Sequence, residues 1–414
     1  MPPNVEGEIH ENIGNEVDVF VRYPAHILFI SHDASRTGAP IVLLHLLRWL
    51  RANTDLNFRV LLKRDGPLRH DFETVAETTV YAELLERAKR NIFRRAIRKV
   101  GLACQANYHF NPLPTVYKNG EIDLVYSNTA MNGDLLPQLS YLRTPVICHV
   151  HELEYYLRVA TRGGGISQIG QLADVFLAAS NAVKENLILQ HNVNDEVVHV
   201  VHEFVPVKEV LQAAGTGVSL RQYAGIPEDE IIVGGSGCGV WRKGIDLFVQ
   251  LALLVKNSNA GMPIRFVWVG GDPEGLEFYQ VQHDIERVGL VDNVIVIPEV
   301  ASPARFFRDF DIMAMVSRED PFPLVCLECA CLATPIVCFD HSGGVPELVE
   351  EDCGFVVPYL DLRMMAERIM ELACNPVLRN SLGRRAAEKV SVRHDVSVAA
   401  PEIYRLMMRV LGCA

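Results

Sequence analysis

The segment IMAMVSREDPFPLVCLE, residues 312–328, combines the features that decide the fold. Its first five residues, Ile312–Val316, form a continuous apolar run, which is typical of a strand covered by helices on both faces. Pro321 and Pro323 then precede a compact apolar stretch that reaches Glu328, and proline is well tolerated at the start of a helix. A buried strand that leads directly into a helix predicts one βα unit of a parallel sheet.

The same alternation of apolar runs and helical stretches recurs along the chain. Twelve runs are predicted strands: His26–Ser31, Phe58–Leu62, Asp123–Ser127, Pro145–Val150, Val175–Ala179, Val197–Val201, Ile231–Gly235, Ile264–Gly270, Val294–Ile297, Ile312–Val316, Pro335–Phe339 and Phe355–Val357. Because so many parallel strands exceed one small sheet, we expect an α/β protein with two doubly wound, Rossmann-like domains.

Proline and glycine concentrate between residues 205 and 229, where one set of βα units ends and another begins. This predicts an N-terminal domain over residues 25–205 and a C-terminal domain over 206–395. We expect residues 1–24 to form a flexible acidic arm. Apolar residues at helical spacing predict a terminal helix within 396–414, and we expect it to pack back on the N-terminal domain.

The composition excludes several classes of protein. The 414 residues carry 39 Lys and Arg against 51 Asp and Glu, a net charge of −12. A primary nucleic-acid binder needs a basic surface, so we expect no nucleic-acid partner, and any phosphate site must be a small local cluster. No apolar stretch is long enough to span a bilayer, and the acidic N-terminus is unlike a signal peptide. We therefore expect a cytoplasmic protein.

Ligands of open parallel sheets bind beyond the carboxyl ends of the strands, so residues there are candidates for a site. Gly38 follows the first strand and could let backbone approach a phosphate, although an ordinary connection is an equal interpretation. At the end of the strand Pro145–Val150, His149 lies within the strand and is interpreted as buried and structural, whereas His151 follows the strand and is predicted to contact substrate. Beyond Ile231–Gly235, the basic pair Arg242 and Lys243 supplies the positive charge that a diphosphate needs.

Two carboxylates accompany the helix predicted after Pro321 and Pro323. Asp320 lies at the mouth of the cleft, just before the helix begins, and Glu328 lies about two turns into the helix. At about 1.5 Å per residue, the two positions are roughly 10 Å apart along the helix axis. Such an offset suits two hydroxyl-bearing parts of one extended ligand and is poor for sharing a proton. A second glycine turn, Gly343–Glu347, is expected to face the same cleft.

Three features have competing interpretations. Cys326, Cys329 and Cys331 are closely spaced, but their apolar surroundings favour packing over a metal site. Asp309 and Asp311 spell a DxD pattern just before a strand, a position that does not suit a metal site. The basic run Arg87–Lys99 suits a solvated helix, or alternatively peripheral contact with an anionic membrane.

At these residues the sequence resembles the retaining, nucleotide-sugar-dependent glycosyltransferases of family 4, which have the GT-B architecture of two facing Rossmann-like domains. The resemblance covers roughly residues 25–412. Its strongest piece is Asp320–Glu328, which is similar to the E-x7-E motif of that family, followed by Gly343–Glu347. Asp320 stands where the family usually has Glu, unless Glu319 substitutes by a shift in register, and Pro323 stands where Gly is commonest.

The resemblance implies a role for each matching residue. Glu328 would hold the ribose hydroxyls, Asp320 the hydroxyls of the transferred sugar, and Arg242 with Lys243 the diphosphate, although Arg242 is nearer to Lys243 than is usual. The implied catalytic residues are His151, Asp320, Arg242 and Lys243. The implied donor-binding residues are Gly38, Gly239, Arg242, Lys243, Glu319, Asp320, Phe322, Pro323, Leu324 and Glu328.

The implied activity is transfer of a sugar from a nucleoside diphosphate sugar to a glycan or lipid-linked acceptor, with retention of configuration, no metal and no other cofactor. The family's usual work suggests polysaccharide or glycolipid biosynthesis, at or near the inner face of the membrane. The sequence leaves two alternatives open. Gly235, Gly237 and Gly239 suggest an NAD-dependent oxidoreductase despite their G-x-G-x-G spacing. The departures at Asp320 and Pro323 allow a non-catalytic sugar-nucleotide-binding pseudoenzyme.

Overall fold

The computed structural model describes residues 25–100, 111–161, 166, 169–258 and 261–413, with the side chains of 91–100 and 160–161 left out. The predicted acidic arm, residues 1–24, lies outside the described residues.

The first sheet has seven parallel strands in the order β3-β2-β1-β4-β5-β6-β7. Its strands are β1 His26–Ser31, β2 Asn57–Leu62, β3 Glu77–Val80, β4 Leu124–Ser127, β5 Val146–Val150, β6 Val175–Ala178 and β7 Val198–Val200. Its helices include α1 Gly38–Asn53, α2 Arg69–Val75, α3 Tyr81–Val100, α4 Glu154–Thr161 and α5 Asn181–His191.

The second sheet has six parallel strands in the order β10-β9-β8-β11-β12-β13. Its strands are β8 Ile231–Ser236, β9 Ile264–Val269, β10 Val294–Ile297, β11 Ile312–Met315, β12 Ile336–Phe339 and β13 Gly354–Val357. The remaining helices include α6 Val207–Ala214, α7 Leu220–Ala224, α8 Ile245–Ser258, α9 Leu276–Arg287, α10 Ala304–Phe307, α11 Leu324–Cys331, α12 Val345–Val349, α13 Leu362–Cys374, α14 Pro376–Arg393 and α15 Val396–Val410.

These two sheets confirm the predicted pair of Rossmann-like units, and each of the twelve predicted runs contains a strand. The edge strand β3 was missed because its sequence ETTV has no apolar run. In both sheets the strand order reverses at one point, between β1 and β4 in the first and between β8 and β11 in the second. A crevice opens beyond the carboxyl ends of the strands at such a point, so the loops after these four strands mark the expected ligand site.

The chain crosses between the two sheets twice, and the two crossings pair with each other. Val205 donates its backbone N–H to the carbonyl of His394 at 3.0 Å, and Val396 donates to the carbonyl of Val205 at 3.0 Å. Helix α15 then packs against α1, burying Ile403 and Met407 in the apolar core that also holds residues of α1. The predicted return of the terminal helix to the N-terminal domain is confirmed.

The basic run forms the second half of α3, where the described side chains pair within their own helix. Arg87 lies 3.4 Å from Glu83 and Arg90 lies 3.1 Å from Glu86, each one helical turn apart. From residue 91 to 100 the side chains lie outside the description, so membrane contact through Arg87–Lys99 stays a prediction. Among the helices of the described residues, none is long and apolar enough to cross a bilayer.

Glu347 of α12 joins the two domains through the N-terminus of α5. Its carboxylate accepts hydrogen bonds from the backbone N–H groups of Asn181 and Ala182, both at 3.0 Å, and from the Asn181 amide at 2.8 Å. His202 lies 2.7 Å from the same carboxylate. Burial raises the pKa of Glu347, but the hydrogen bonds from His202 and the two backbone amides outweigh it and lower the pKa below its ordinary value. A carboxylate at a helix N-terminus also interacts favourably with the helix dipole.

Glu319 makes a second contact of the same kind. Its carboxylate, which follows β11, accepts hydrogen bonds from the backbone N–H groups of Tyr155 at 2.9 Å and Tyr156 at 3.2 Å in the first turn of α4. Two carboxylates of the C-terminal domain therefore cap two helices of the N-terminal domain, on either side of the crevice.

Replacing Gly383 by alanine is expected to destabilise the protein, although alanine normally favours a helix interior. A Cβ at this position in α14 would lie 1.9 Å from the backbone oxygen of Ala333. We expect a loss of about 2–3 kcal/mol and a melting temperature lower by several degrees in thermal unfolding. Gly215→Ala is the matched control, because its Cβ would meet backbone oxygens at 3.4 Å or more. An unchanged or raised melting temperature for Gly383→Ala would contradict the close packing of α14.

Loss of the Glu347 contact is expected to shift the free protein towards a more open arrangement of its domains. Glu347→Gln removes the charge, and Glu347→Ala removes every acceptor, which weakens closure by about 2 kcal/mol or more. Small-angle X-ray scattering should then give a larger radius of gyration, with alanine exceeding glutamine. The exposed neighbour Glu351 supplies the control Glu351→Gln. Equal radii for all variants, at equal melting temperatures, would show that this contact does not hold the domains together.

Candidate active site

The glycines around β8 serve packing and a sharp turn. A Cβ on Gly234 would lie 2.0 Å from the ring of Phe310, and one on Gly235 would lie 2.7 Å from Trp268. Gly237, with φ +152°, ends the strand, and its carbonyl accepts the indole N–H of Trp268 at 3.0 Å. The chain then makes a loop and the short 3-10 helix Trp241–Lys243 before α8 begins. This is not the direct strand-to-helix turn of a dinucleotide fingerprint.

The 3-10 helix presents Arg242 and Lys243 to the end of β11. Gly244 makes this approach possible, because its φ is +75° and a Cβ would lie 2.2 Å from the backbone oxygen of Val316. The Lys243 ammonium forms an ion pair with Asp320, whose carboxylate also lies 3.9 Å from the Arg242 guanidinium. The structure thus brings together three residues that the sequence predicts at one site, and Asp320 is buried.

Arg242 is held from two further directions. Its guanidinium donates to the backbone oxygen of Glu319 at 3.3 Å and lies over the ring of Tyr156 at 5.5 Å from the centroid. Tyr156 belongs to α4, so the N-terminal domain contributes to the position of this C-terminal cation. Sequence reasoning missed Tyr156, which carries no local signal of its partner.

The loop at Asp320 is closed by the second glycine turn. Asp320 donates its backbone N–H to the carbonyl of Ser342 at 2.7 Å. Gly343 has φ +128°, and a Cβ there would lie 1.8 Å from the backbone oxygen of Asp320. A Cβ on Gly344 would lie 2.4 Å from both the Phe322 ring and the Pro321 oxygen. Glycine is therefore required at both positions for the two loops to approach.

The structure separates the two neighbouring acidic residues. The Asp320 side chain faces the basic pair, whereas the Glu319 carboxylate faces α4. Phe322 packs between His202 at 5.3 Å and His394 at 5.2 Å, where the chain crosses between domains. Because the Phe322 ring is occupied by these contacts, the predicted contact of Phe322 with the nucleotide-sugar donor would be made by its backbone. Pro323 immediately precedes α11, and the buried Leu324 begins it.

Glu328 lies in the second turn of α11 and is partly buried. Within the described residues its carboxylate has no hydrogen bond or ion pair, and burial raises its pKa to about 7. An unpartnered carboxylate in such a place is suited to accept hydrogen bonds from ligand hydroxyls.

The two glycines among the predicted donor-binding residues, Gly38 and Gly239, lie on opposite domains. Gly38 begins α1, and nothing lies within 4 Å of a Cβ built on it, so this helix N-terminus is open. Thr37, which precedes it, makes no capping hydrogen bond with its side chain. Gly239 lies in the loop before the basic pair, where a Cβ would approach Glu277 at 3.2 Å.

His149 and His151 contact each other, with ring centroids 3.9 Å apart and the ring planes tilted by 45°. His149 is buried, as predicted, and its Nδ1 lies 2.8 Å from the hydroxyl of Tyr126. The His151 Nδ1 forms a close pair with the carboxylate of Glu203. Burial lowers the pKa of His151, but the charge and hydrogen bond of Glu203, together with Glu152, outweigh it and raise the pKa. Sequence reasoning missed Glu203, because it lies 52 residues further along the chain.

The aspartates of the DxD pattern have structural partners away from the crevice. Asp309 accepts the backbone N–H of Arg221 at 2.9 Å, and Asp311 accepts that of Ile232 at 2.9 Å, at the start of β8. Across the described residues, no group of three or more His, Cys, Asp or Glu side chains is arranged to hold a metal ion.

The cysteines of α11 pack as predicted. Cys326, Cys329 and Cys331 are buried and free of disulfides. Burial raises the pKa of the Cys326 and Cys329 thiols far above the ordinary value, so they remain protonated.

Comparison with known proteins agrees with this geometry. Residues 219–389 match the family model described as glycosyl transferases group 1. The D-inositol 3-phosphate glycosyltransferase of Saccharomonospora viridis is 24% identical over 314 residues, which cover 70% of this chain and 71% of that protein. The protein of the same name from Streptomyces avermitilis is 27% identical over 330 residues, 71% of this chain and 68% of its own.

The fold also matches a solved structure along almost its whole length. The crystal structure of HepE from Anabaena in complex with UDP-glucose superposes with a TM-score of 0.74 at 20% identity, covering 93% of this chain and 99% of that one. The two sheets therefore have the GT-B architecture of such neighbours, and residues 219–389 match the glycosyl transferases group 1 family model.

Proposed function

We propose that the chain transfers a sugar from a nucleoside diphosphate sugar to a hydroxyl of a glycan or lipid-linked acceptor, with retention of configuration and without a metal. One observation carries the proposal: an acidic chain holds two adjacent cations, Arg242 and Lys243, at the point where the second sheet reverses its strand order. This is where an open α/β sheet binds its ligand.

The donor would span the crevice. The unpartnered carboxylate of Glu328 would accept the ribose hydroxyls, and the diphosphate would lie against Arg242 and Lys243. Asp320 would accept hydroxyls of the transferred sugar. Because HepE was crystallised with UDP-glucose, a uridine diphosphate sugar is the first donor to test.

The chemistry requires stabilisation of a leaving diphosphate. The bond between the anomeric carbon and the phosphate oxygen breaks, and a bond from that carbon to the acceptor oxygen forms. The acceptor proton would pass to the leaving phosphate on the same face of the sugar, which accounts for retention without an enzymic nucleophile. Cations already fixed at the leaving oxygen lower the barrier, because they need little reorganisation during reaction.

The cellular setting is part of the same proposal. Glycan or glycolipid assembly on the cytoplasmic side of a membrane would suit an acidic chain in which none of the described helices can span the bilayer.

Arg242→Gln should lower kcat/KM for the donor about 100- to 1000-fold, as expected for loss of a preorganised cation at a developing negative charge. Release of UDP from UDP-glucose, in the presence of EDTA and a pool of glycan acceptors, measures this. Arg287→Gln, at an exposed position at the end of α9, is the control. If UDP-glucose is inactive, UDP-, GDP- and ADP-sugars are compared in turn.

Two results would reject the proposal. Binding of NAD in calorimetry, with no binding of any nucleoside diphosphate sugar, would favour the oxidoreductase alternative. Binding of a nucleotide sugar without turnover by the parent protein would favour the pseudoenzyme.

Donor binding should strengthen as the pH rises. Because the pKa of Glu328 is raised to about 7, its carboxyl group is largely protonated at pH 6 and ionised at pH 8. An ionised carboxylate is the better acceptor for ribose hydroxyls, so the affinity for UDP-glucose should increase about tenfold over this range. Isothermal titration calorimetry measures it, since the UDP-glucose diphosphate does not titrate there. Glu328→Gln should bind weakly and independently of pH, whereas Glu351→Gln should behave like the parent. A flat profile in the parent would contradict the role of Glu328.

A further inference from the structure

His151 and Glu203 form an almost completely enclosed pair, each with 5% of its side chain exposed. His151 follows β5 at the crevice, and Glu203 lies in the segment that leaves β7 towards the crossing between domains. The Glu203 backbone oxygen accepts the Nδ1–H of His394 at 3.1 Å on the returning crossing. The carboxylate that faces His151 is thus anchored to the joint between the two domains.

Asn128 reveals the protonation of the other ring nitrogen. Its amide nitrogen donates to the backbone oxygen of Ala39 at 2.7 Å, which fixes the orientation of the amide group. The Asn128 Oδ1 therefore faces the Nε2 of His151, at 3.3 Å. An amide oxygen can only accept, so Nε2 must carry a proton.

The Nδ1 of His151 also carries a proton, because a carboxylate lies against it. Glu203 can accept but not donate when ionised, and its pairing with Nδ1 requires an N–H at that nitrogen. With both nitrogens protonated, the ring is an imidazolium, and the pair is a buried ion pair.

The remaining neighbours agree with a positive ring. The Glu152 carboxylate accepts the backbone N–H of His151 at 3.0 Å and adds a second negative charge nearby. The tilted ring of His149 contacts the ring of His151, and burial holds the pKa of His149 well below the ordinary value, so His149 is neutral. His32, at the end of β1, likewise has a pKa lowered by burial. Neither histidine therefore opposes the charge on His151.

On the basis of the proposed function, we propose that Glu203 is a positioning residue that keeps His151 as an imidazolium, so that His151 serves sugar transfer as a fixed cation and N–H donor rather than as a base. The hydrogen bond from the His151 Nε2 to Asn128 is long, so it is weak. An oxygen atom of the bound nucleotide sugar can therefore replace Asn128 as the acceptor at little cost. The imidazolium then adds a third positive group to the crevice, supplied by the N-terminal domain.

Nuclear magnetic resonance on the free protein tests the charge without relying on activity. Protein labelled with ¹³Cε1-histidine is titrated from pH 5.5 to 8.5, and His151→Gln identifies the signal. We expect the titration midpoint of His151 in the parent protein to lie above the ordinary value for histidine. In Glu203→Gln its titration midpoint should fall by at least one pH unit. A parent His151 that is neutral at pH 7, or an unchanged midpoint in Glu203→Gln, would overturn the inference even if the protein proves to be an active transferase.

Kinetics test the use of that charge. At pH 8, Glu203→Gln should lower kcat about tenfold or more while the donor KM changes little, because a charged hydrogen bond is lost away from the nucleotide. The deficit should shrink as the pH falls towards 6, since His151 then regains its proton. Glu203→Asp should restore most of the rate, and Glu185→Gln, at an exposed site on α5, should have no effect. A deficit that is constant with pH would show a merely structural role. If Glu203→Gln does not fold, Glu203→Asp takes its place in the titration, and a parent His151 that is neutral at pH 7 still overturns the inference.

Discussion

Two carboxylates of the C-terminal domain hold the crevice in its present shape by capping helices of the N-terminal domain. Glu347 binds the first amides of α5, and Glu319 binds those of α4. Each contact is a charge-assisted set of hydrogen bonds at a helix N-terminus, which is among the stronger polar interactions available at a protein surface. With α4 docked in this way, Tyr156 meets the Arg242 guanidinium. The contact between the two domains therefore also helps to place Arg242, the cation that we propose for the donor diphosphate.

Because Glu319 caps α4, the two neighbouring acidic residues after β11 face different partners. Glu319 faces the neighbouring domain, which leaves Asp320 to face Arg242 and Lys243. The backbone of Asp320 is in turn fixed by the glycine turn after β12, where Gly343 approaches it too closely for any side chain. The spacing between the acidic loop and the glycine turn in the sequence thus reflects a packing requirement in the folded crevice.

Much of this arrangement was accessible from sequence because its signals are local. Continuous apolar runs marked the strands, and Pro323 with the apolar residues after it marked the start of α11. The polar edge strand β3 gave no such signal. The partners Glu203 and Glu347 could not be inferred, since they lie 52 residues from His151 and 166 residues from Asn181. Pairing between such distant segments depends on how the two domains pack against each other. The local periodicity of the sequence carries no information about that packing.

The buried ion pairs at this site are a weak source of stability. Removing Lys243 or Asp320 from water, like removing His151 or Glu203, carries a desolvation cost that mutual attraction only partly returns, and well-packed apolar residues would often be as stable. Stability in this chain comes instead from the apolar cores beneath the two sheets. Charges retained at such cost agree with the proposed function, because Arg242 and Lys243 carry the sign that a donor diphosphate would require. Their carboxylate partners fix these side chains in place, and so an acidic chain can present the compact cationic site that the proposed donor would need.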